Sequence, residues 1–140
     1  MRSRALLVVL VAAACIAGGA TSTGAATQTV VPRDCVHEAV KPRSIIITCA
    51  DANFVLTGLK WSHWRRRSAA GAGSAKINDC KPSCANGHFH KYPVSVSLSS
   101  AHFCRKAGKT QFRRMRLTFT GTVPAGIKRT NSPAIACPPK

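Results

Sequence analysis

Two histidines, His88 and His90, flank Phe89 and form the most suggestive local motif in the sequence. On a strand, residues two apart face the same way, roughly 6.5–7 Å apart, so two such imidazoles can share a zinc or copper ion. Cys80 and Cys84 lie just upstream and could complete a zinc site only as free thiols. Because we expect these thiols to be oxidised, we predict two partly exposed histidines beside a disulfide loop. A metal site at His88 and His90 is the alternative.

Acidic residues are too few and too scattered for most hydrolytic chemistry. The chain has only Asp34, Glu38, Asp51 and Asp79, whereas a glycosidase needs two convergent carboxylates. No Gly-x-Ser-x-Gly elbow occurs, and Asp51 two residues before Asn53 is typical of an Asx turn rather than a calcium site. We therefore predict a protein without catalytic residues or a cofactor. A metal-binding or hydrolytic protein that uses the His88/His90 region is the alternative.

Aromatic and basic side chains are combined at Trp64 and the run Arg65–Arg67. Three consecutive arginines cannot all be buried, so at least some of them face water. Arg114 and Arg116 lie two apart and share one face of a predicted strand. If these segments meet, they form a basic surface suited to phosphate-rich polymers or anionic membranes. The polyanion-binding candidates are Arg65, Arg66, Arg67, Arg114, Arg116 and Trp64, and a diffuse solvated coat of charge is the alternative.

The charge balance points to the same partners. The chain has 21 Lys and Arg against four Asp and Glu, which gives a formal net charge of +17. Self-repulsion on this scale destabilises a small domain, and a bound polyanion relieves it. We expect association with an anionic polymer or lipid surface, or with an extracellular protein.

The N-terminus has the order of a secretory signal. Arg2 and Arg4 precede the apolar run Ala5–Ala14, and small residues continue to Ala26. The run is shorter than the roughly 20 apolar residues that a membrane-spanning helix needs. We predict a signal peptide over residues 1–26, and no transmembrane segment after its removal.

The end of the signal leaves two possibilities for localisation. Small residues place the cleavage site somewhere within residues 20–26, which predicts a secreted protein. The segment Ala12-Ala13-Ala14-Cys15 also offers a cysteine that could carry a lipid. A lipid anchor through Cys15 is therefore the alternative to plain secretion.

Cysteine usage agrees with export. Without Cys15 the chain keeps an even number of cysteines, which in an exported protein predicts disulfides. Sequence spacing alone leaves many pairings open. Proximity along the chain favours the pairs Cys35–Cys49, Cys80–Cys84 and Cys104–Cys137.

Strand patterns dominate the rest of the chain. Residues 44–49 are rich in β-branched side chains, and residues 54–61 follow after a turn, so the two segments predict a hairpin. Residues 92–99 alternate apolar and serine side chains, and residues 112–120 alternate apolar and basic or threonine side chains. Residues 68–80, rich in glycine, alanine and serine, are expected to form a loop.

These patterns predict an all-β fold. No window places apolar residues at helical spacing, and short half-buried strands separated by turns are typical of a small antiparallel β-sandwich or open barrel, here stapled by disulfides. We expect a flexible leader over residues 27–34 and a single domain over residues 35–140.

An ordered set of short motifs resembles a known family. It comprises Cys49-Ala50-Asp51-x-Asn53, Leu59-x-Trp61-x-x-Trp64, Ala70-Gly71-x-Gly73, Asn78-x-Cys80-x-Pro82-x-Cys84-Ala85-x-Gly87 and Tyr92-Pro93-Val94-x-Val96-x-Leu98. Together the motifs resemble a family of small secreted, cysteine-containing actinobacterial proteins of uncharacterised function. The resemblance spans roughly residues 35 to 120. It implies export and a compact disulfide-bonded domain, and it implies no activity and no catalytic residues.

Overall fold

The predicted all-β fold is confirmed. The computed structural model describes residues 28–137, so the predicted signal peptide and Cys15 lie outside the described residues. Within this range the chain forms an antiparallel half-barrel without any helix, and therefore without a helix able to span a membrane. The strands are β1 (Val31–Pro32), β2 (Glu38–Ala39), β3 (Ile45–Ile46), β4 (Phe54–Trp64), β5 (Ala69–Asn78), β6 (Phe89–Cys104), β7 (Lys109–Phe119) and β8 (Thr130–Asn131).

The main sheet follows chain order from β3 to β8, and β1 pairs separately with β2. All neighbouring strands of the sheet pair antiparallel, which suits connections too short for a parallel crossover. The segment before β2 bridges the open side of the half-barrel. Val30 pairs with Gln111 of β7, and the carbonyl of Arg33 accepts a 2.9 Å hydrogen bond from the Ile46 N–H of β3.

Strict alternation on β6 and β7 builds the centre of the core. Val94, Val96 and Leu98 are almost fully buried and lie opposite Phe119, Leu117 and Met115. The intervening serines of β6 therefore point to the opposite, outer face of the sheet. The predicted strands over residues 92–99 and 112–120 are confirmed, although β6 extends further at both ends.

The predicted hairpin of residues 44–49 with 54–61 is confirmed by the pairing of Ile45 with Leu56, with β4 longer and β3 shorter than expected. A shift in register between Thr57 and Lys60 changes the phase of β4. Gly58 lies within this bulge at φ +62°, a conformation that glycine adopts without strain. As a result Leu56 and Leu59 both reach the core, while Lys60 is exposed.

The expectation of a loop over residues 68–80 is wrong, because Ala69–Asn78 forms β5 in the interior of the sheet. A Cβ at Gly71 would lie 3.0 Å from Trp61 Cε3, and one at Gly73 would lie 3.0 Å from Leu59 Cδ2. The glycines are therefore needed to let large side chains of β4 lie over β5. Low intrinsic strand propensity is overridden by pairing with strands on both sides.

The folded domain begins before the expected boundary at residue 35. Thr29 and Val31, which fall within the expected leader over residues 27–34, are 1% and 0% exposed. The Trp64 ring N–H donates a 2.9 Å hydrogen bond to the Thr29 carbonyl, and the Thr29 hydroxyl donates to the carbonyl of Arg66. The sequence gives no sign of this packing, because the segment has too few apolar residues to show the alternation of a buried strand.

The three disulfides join consecutive cysteines as the favoured pairing has them, so that pairing is confirmed. Cys35–Cys49 holds the N-terminal segment beside β3, Cys80–Cys84 closes the loop between β5 and β6, and Cys104–Cys137 ties the C-terminal tail to the end of β6. Disulfides fit a protein that folds outside the cytoplasm.

Candidate polyanion-binding surface

The acidic residues are few, and they neutralise little of the positive charge. Within residues 28–137, Arg33 and Lys109 are the only lysine or arginine side chains with a side-chain carboxylate within 4 Å; Arg33 lies 3.0 Å from Asp34 and Lys109 lies 3.2 Å from Glu38. The other lysines and arginines in this range therefore present charge that no side-chain carboxylate balances.

Three of the four carboxylates, those of Asp34, Asp51 and Asp79, accept hydrogen bonds within their own loops. Hydrogen bonds from the backbone N–H groups of Val36 and His37 hold the pKa of Asp34 well below its usual range. Asp51 accepts a 3.0 Å hydrogen bond from the Asn53 N–H, as the predicted Asx turn requires, and this lowers its pKa. Each of these carboxylates stays ionised to hold its own turn.

Asp79 lies beside His88 and His90, the two histidines for which a metal site was the alternative prediction. The His88 N–H, the His90 ring and the Lys81 N–H all bond to this carboxylate and hold its pKa well below the usual range. His90 Nε2 lies 3.0 Å from Asp79 Oδ2, while His88 precedes β6 and Cys80 is in a disulfide. Among the described residues, no three His, Cys, Asp or Glu side chains cluster to hold a metal ion.

The ring of Trp64 is half-buried: it packs against the hydrophobic core and also lines a cavity beside Arg65 and Arg66. Its centroid lies 4.6 Å from that of Trp61 and 5.5 Å from that of Phe112, both in edge-on geometry. Its ring N–H is used by Thr29, as described above. This indole therefore fixes the start of the domain and the end of β4 at the same time.

Phe103 is a second aromatic side chain beside the arginine run, and sequence reasoning missed it. It is 55% exposed and lines a cavity of about 500 Å³ together with Trp64, Arg65, Arg66 and Gly108. The turn between β4 and β5 thus meets the turn between β6 and β7. The available signal was an aromatic residue that follows a histidine in a polar stretch, directly before a disulfide cysteine.

Arg114 and Arg116 project from the outer face of β7, as the alternation of that strand predicts. Arg116 lies opposite Ser97, and Arg114 lies opposite Ser99. Since Trp64, Ala69, Leu98 and Met115 form one row across four strands, the turn that holds Arg65–Arg67 lies at nearly the same level of the sheet as Arg114. The candidates therefore divide into two neighbouring groups, one on the turn and one on the outer face.

The outer face also carries a shallow depression that the sequence did not reveal, because its bottom is formed by the unexpected strand β5. Its volume is about 370 Å³. We call it the outer-face groove, and it is lined by Lys60, Ser62, Ala70, Gly71, Ala72, Ser95, Val96, Ser97, Arg116 and Thr118.

Two further arginines form hydrogen bonds within the domain. Arg113 donates to the carbonyl of Ile135 and to the sulfur of Cys137, and so secures the C-terminal tail. Arg129 donates to the carbonyls of Phe119 and Gly121, at 2.9 and 3.2 Å. Both guanidinium groups are held by main-chain or disulfide atoms.

A second, mainly apolar cavity of about 250 Å³ lies between the N-terminal segment, β3 and the C-terminal tail. Val31, Ile45 and Met115 contribute to its walls, and among its lining residues His37 Nδ1 lies 3.1 Å from Asp34 Oδ1. The cysteines among these lining residues are all disulfide-bonded, and no serine or threonine lines the cavity. The histidine–carboxylate pair therefore has no nucleophile to activate among its described neighbours.

Comparison of the chain with models of protein families, with curated proteins and with solved structures gives no match.

Proposed function

We propose that this protein is an exported, non-catalytic basic domain that associates with an anionic envelope polymer or surface. The observation that carries the proposal is the unbalanced charge. Within the described range the carboxylates contact only Arg33 and Lys109 among the lysines and arginines. A polyanion is the partner that such a surface attracts over distance and holds on contact.

Export supports an extracellular ligand. The N-terminal Arg2, Arg4 and the apolar run Ala5–Ala14 have the order of a signal peptide, and disulfides join the cysteines of the domain. The polyanions present outside a cell are anionic lipids, wall polymers, acidic polysaccharides and released nucleic acid. Membership of a secreted actinobacterial family, as the motifs suggest, is part of this proposal.

The arrangement of titratable groups favours binding over catalysis. Asp34 and Asp79 are ionised and bonded to neighbouring N–H groups, which suits loop stabilisation rather than proton transfer. The apolar cavity lacks a nucleophile among its lining residues, as described above. These features support a non-catalytic role.

The proposal is tested by measuring affinity for heparin and phosphocellulose as a function of salt, using the oxidised chain after removal of residues 1–26. We expect retention at low salt and release at moderate salt. In the variant Arg65→Ala/Arg66→Ala/Arg67→Ala the slope of log affinity against log salt should fall by about 2, on the scale of roughly 0.7 to 0.9 per lost contact with an anionic group that holds for nucleic-acid phosphates.

The matched control is Arg43→Ala/Lys81→Ala/Lys128→Ala, which removes the same charge from exposed positions outside the arginine run. It should reduce the slope less than the arginine-run variant does. A wild-type protein that is not retained by either matrix at low salt would refute the proposed function. Equal slopes for the two triple variants would show that the arginine run contributes no more to binding than cations elsewhere on the surface.

A protein partner is the second candidate, and the exposed ring of Phe103 favours it. This ring borders the cavity that also contains Arg65 and Arg66, and aromatic and arginine side chains are enriched at protein interfaces. Such binding should persist at a salt concentration that releases polyanions, and Phe103→Ser should abolish it. Capture that disappears with salt, together with heparin binding, would rule against this candidate.

A further inference from the structure

The floor of the outer-face groove is built from small side chains where the fold does not need them. Ala70 and Ala72 of β5 alternate with Gly71, and Ser95 and Ser97 of β6 lie beside them. On the inner face Gly71 is small because Trp61 packs over it. On the outer face Ala72 and Ser97 are exposed to solvent, and threonine or valine would suit a strand better. These small side chains leave the depression on the outer face of the sheet unfilled.

Basic side chains border the floor on both sides. Lys60 of β4, Ala72 and Ser95 form one row across the sheet, and His63, Ala70, Ser97 and Arg116 form the next. With about 4.8 Å between strands, His63 and Arg116 start roughly 14 Å apart on the sheet. This width accommodates one extended polymer chain that runs parallel to β5 and β6.

The residues that line the groove select among anionic polymers. They include hydroxyl donors, such as Ser97 and Thr118, and the cations Lys60 and Arg116, but no acidic and no aromatic side chain. Single-stranded nucleic acid is usually held by stacking its bases on aromatic rings, and the groove offers no ring for this. Hydroxyl, ammonium and guanidinium groups instead suit closely spaced phosphates.

We propose that the outer-face groove binds one extended chain of a phosphate polymer whose charges lie along its own backbone and which carries no bases. This inference rests on the proposed function and names its ligand class and site. Arg116 and Lys60 form charge-assisted hydrogen bonds to phosphates from the two sides of the groove, and the hydroxyls of Ser95 and Ser97 donate hydrogen bonds from its floor.

The ligand can continue beyond the groove in the direction of the arginine turn. From Ala72 the floor leads through Ala70 to Ser68, directly after Arg67. A long phosphate chain therefore contacts the groove and the turn, whereas a chain that only fills the groove contacts Lys60 and Arg116. Both inorganic polyphosphate and a polyol phosphate have this chemistry, and they differ in whether carbon atoms separate the phosphates.

The decisive experiment fills the floor without changing the charge. In Ala72→Ile/Ser97→Ile two branched side chains occupy the groove at exposed strand positions that favour such residues. Its control is Ala125→Ile/Ser132→Ile, the same substitutions at exposed positions outside the groove. Fluorescence anisotropy measures the affinity of each variant for labelled short polyphosphate and for labelled short glycerol phosphate oligomers. Thermal unfolding confirms that each is folded, and Ala72→Val provides a milder filling.

We expect the filled variant to lose about tenfold or more in affinity for at least one of the two probes, the loss that follows when charge-assisted hydrogen bonds are displaced. The control should stay within about twofold of wild type. The probe that loses more identifies the better ligand. Oligothymidylate and vesicles containing phosphatidylglycerol should bind both proteins equally, because neither needs to enter the floor.

If the filled variant binds both phosphate probes as tightly as wild type, the groove is not the binding site, and the proposed function is unaffected. Loss of oligothymidylate or vesicle binding to the same extent as phosphate binding would assign the groove to those ligands and also reject this inference. Failure of the wild type to bind any anionic probe at low salt would instead remove the proposed function on which the inference rests.

Discussion

Replacing Trp64 by phenylalanine separates a structural role for this residue from a binding role. The indole packs edge-on against Trp61 and Phe112, and its N–H donates to the carbonyl of Thr29, a residue that is 1% exposed. Phenylalanine keeps an aromatic ring but leaves that carbonyl without its donor. If the structural placement is right, the variant loses stability and keeps its affinity for polyanions.

The size of the effect follows from the contacts. A buried carbonyl left without a donor costs about 1–3 kcal/mol, and the smaller ring weakens two edge-on aromatic pairs that are each worth roughly 0.5–1.5 kcal/mol. We therefore expect Trp64→Phe to lower the free energy of unfolding by about 2–4 kcal/mol. Part of the loss should appear as release of the segment at Thr29, which connects β4 to β7.

Guanidinium chloride unfolding of the oxidised protein measures the stability, and heparin affinity at fixed salt measures the binding. Phe103→Leu is the control for the stability measurement alone, since this aromatic side chain is 55% exposed and its truncation should cost less than about 1 kcal/mol. A Trp64→Phe variant with unchanged stability and several-fold weaker heparin binding would refute the reasoning, because the indole would then act as a surface contact.

Two further predictions concern the loop at Asp79 and the glycine under Trp61. Asp79→Asn should lower the melting temperature at pH 7, because hydrogen bonds from His88 and His90 hold the pKa of Asp79 below its usual range and stabilise the ionised form. A depressed carboxyl pKa contributes stability that is complete above about pH 4 and lost at lower pH. The difference in melting temperature between wild type and variant, followed by circular dichroism, should therefore narrow below about pH 4. A difference that widens there contradicts the assignment. Gly71→Ala should destabilise the domain by about 1–3 kcal/mol in chemical unfolding, since its Cβ would lie 2.6 Å from the Lys60 carbonyl oxygen and 3.1 Å from Trp61 Cα, and a neutral or stabilising result would mean that β4 can move away.

The strong strands could be derived from the sequence because they leave a local signal, whereas the sequence predicted disulfides but left their pairing open, and only proximity along the chain favoured the pairing that forms. Alternation from Val94 to Leu98 determines which side chains share a face of the strand, whatever the rest of the fold does. Charge excess is a property of composition, so a basic surface could be anticipated as well.

The role of β5 could not be derived in this way. Ala70, Gly71, Ala72 and Gly73 have low strand propensity, and their small size is explained only when Trp61 and Leu59 are seen above them. The same reasoning applies to Trp64, because a tryptophan at the end of an amphipathic strand packs inward or outward according to what covers that end. Here the covering segment is Thr29–Val31, which sequence reasoning assigned to a flexible leader.

By itself, the sequence determined an all-β chain with cysteines suited to disulfides and far more cations than carboxylates, since these are properties of periodicity and composition, while the export signal stays a prediction. Only the tertiary structure decided where the cations stand relative to one another. Strand register places Lys60 and Arg116 on either side of the shallow groove and packs the ring of Trp64 against Phe112 at the edge of the core. Register depends on packing between residues distant in sequence, and no local pattern contains that information.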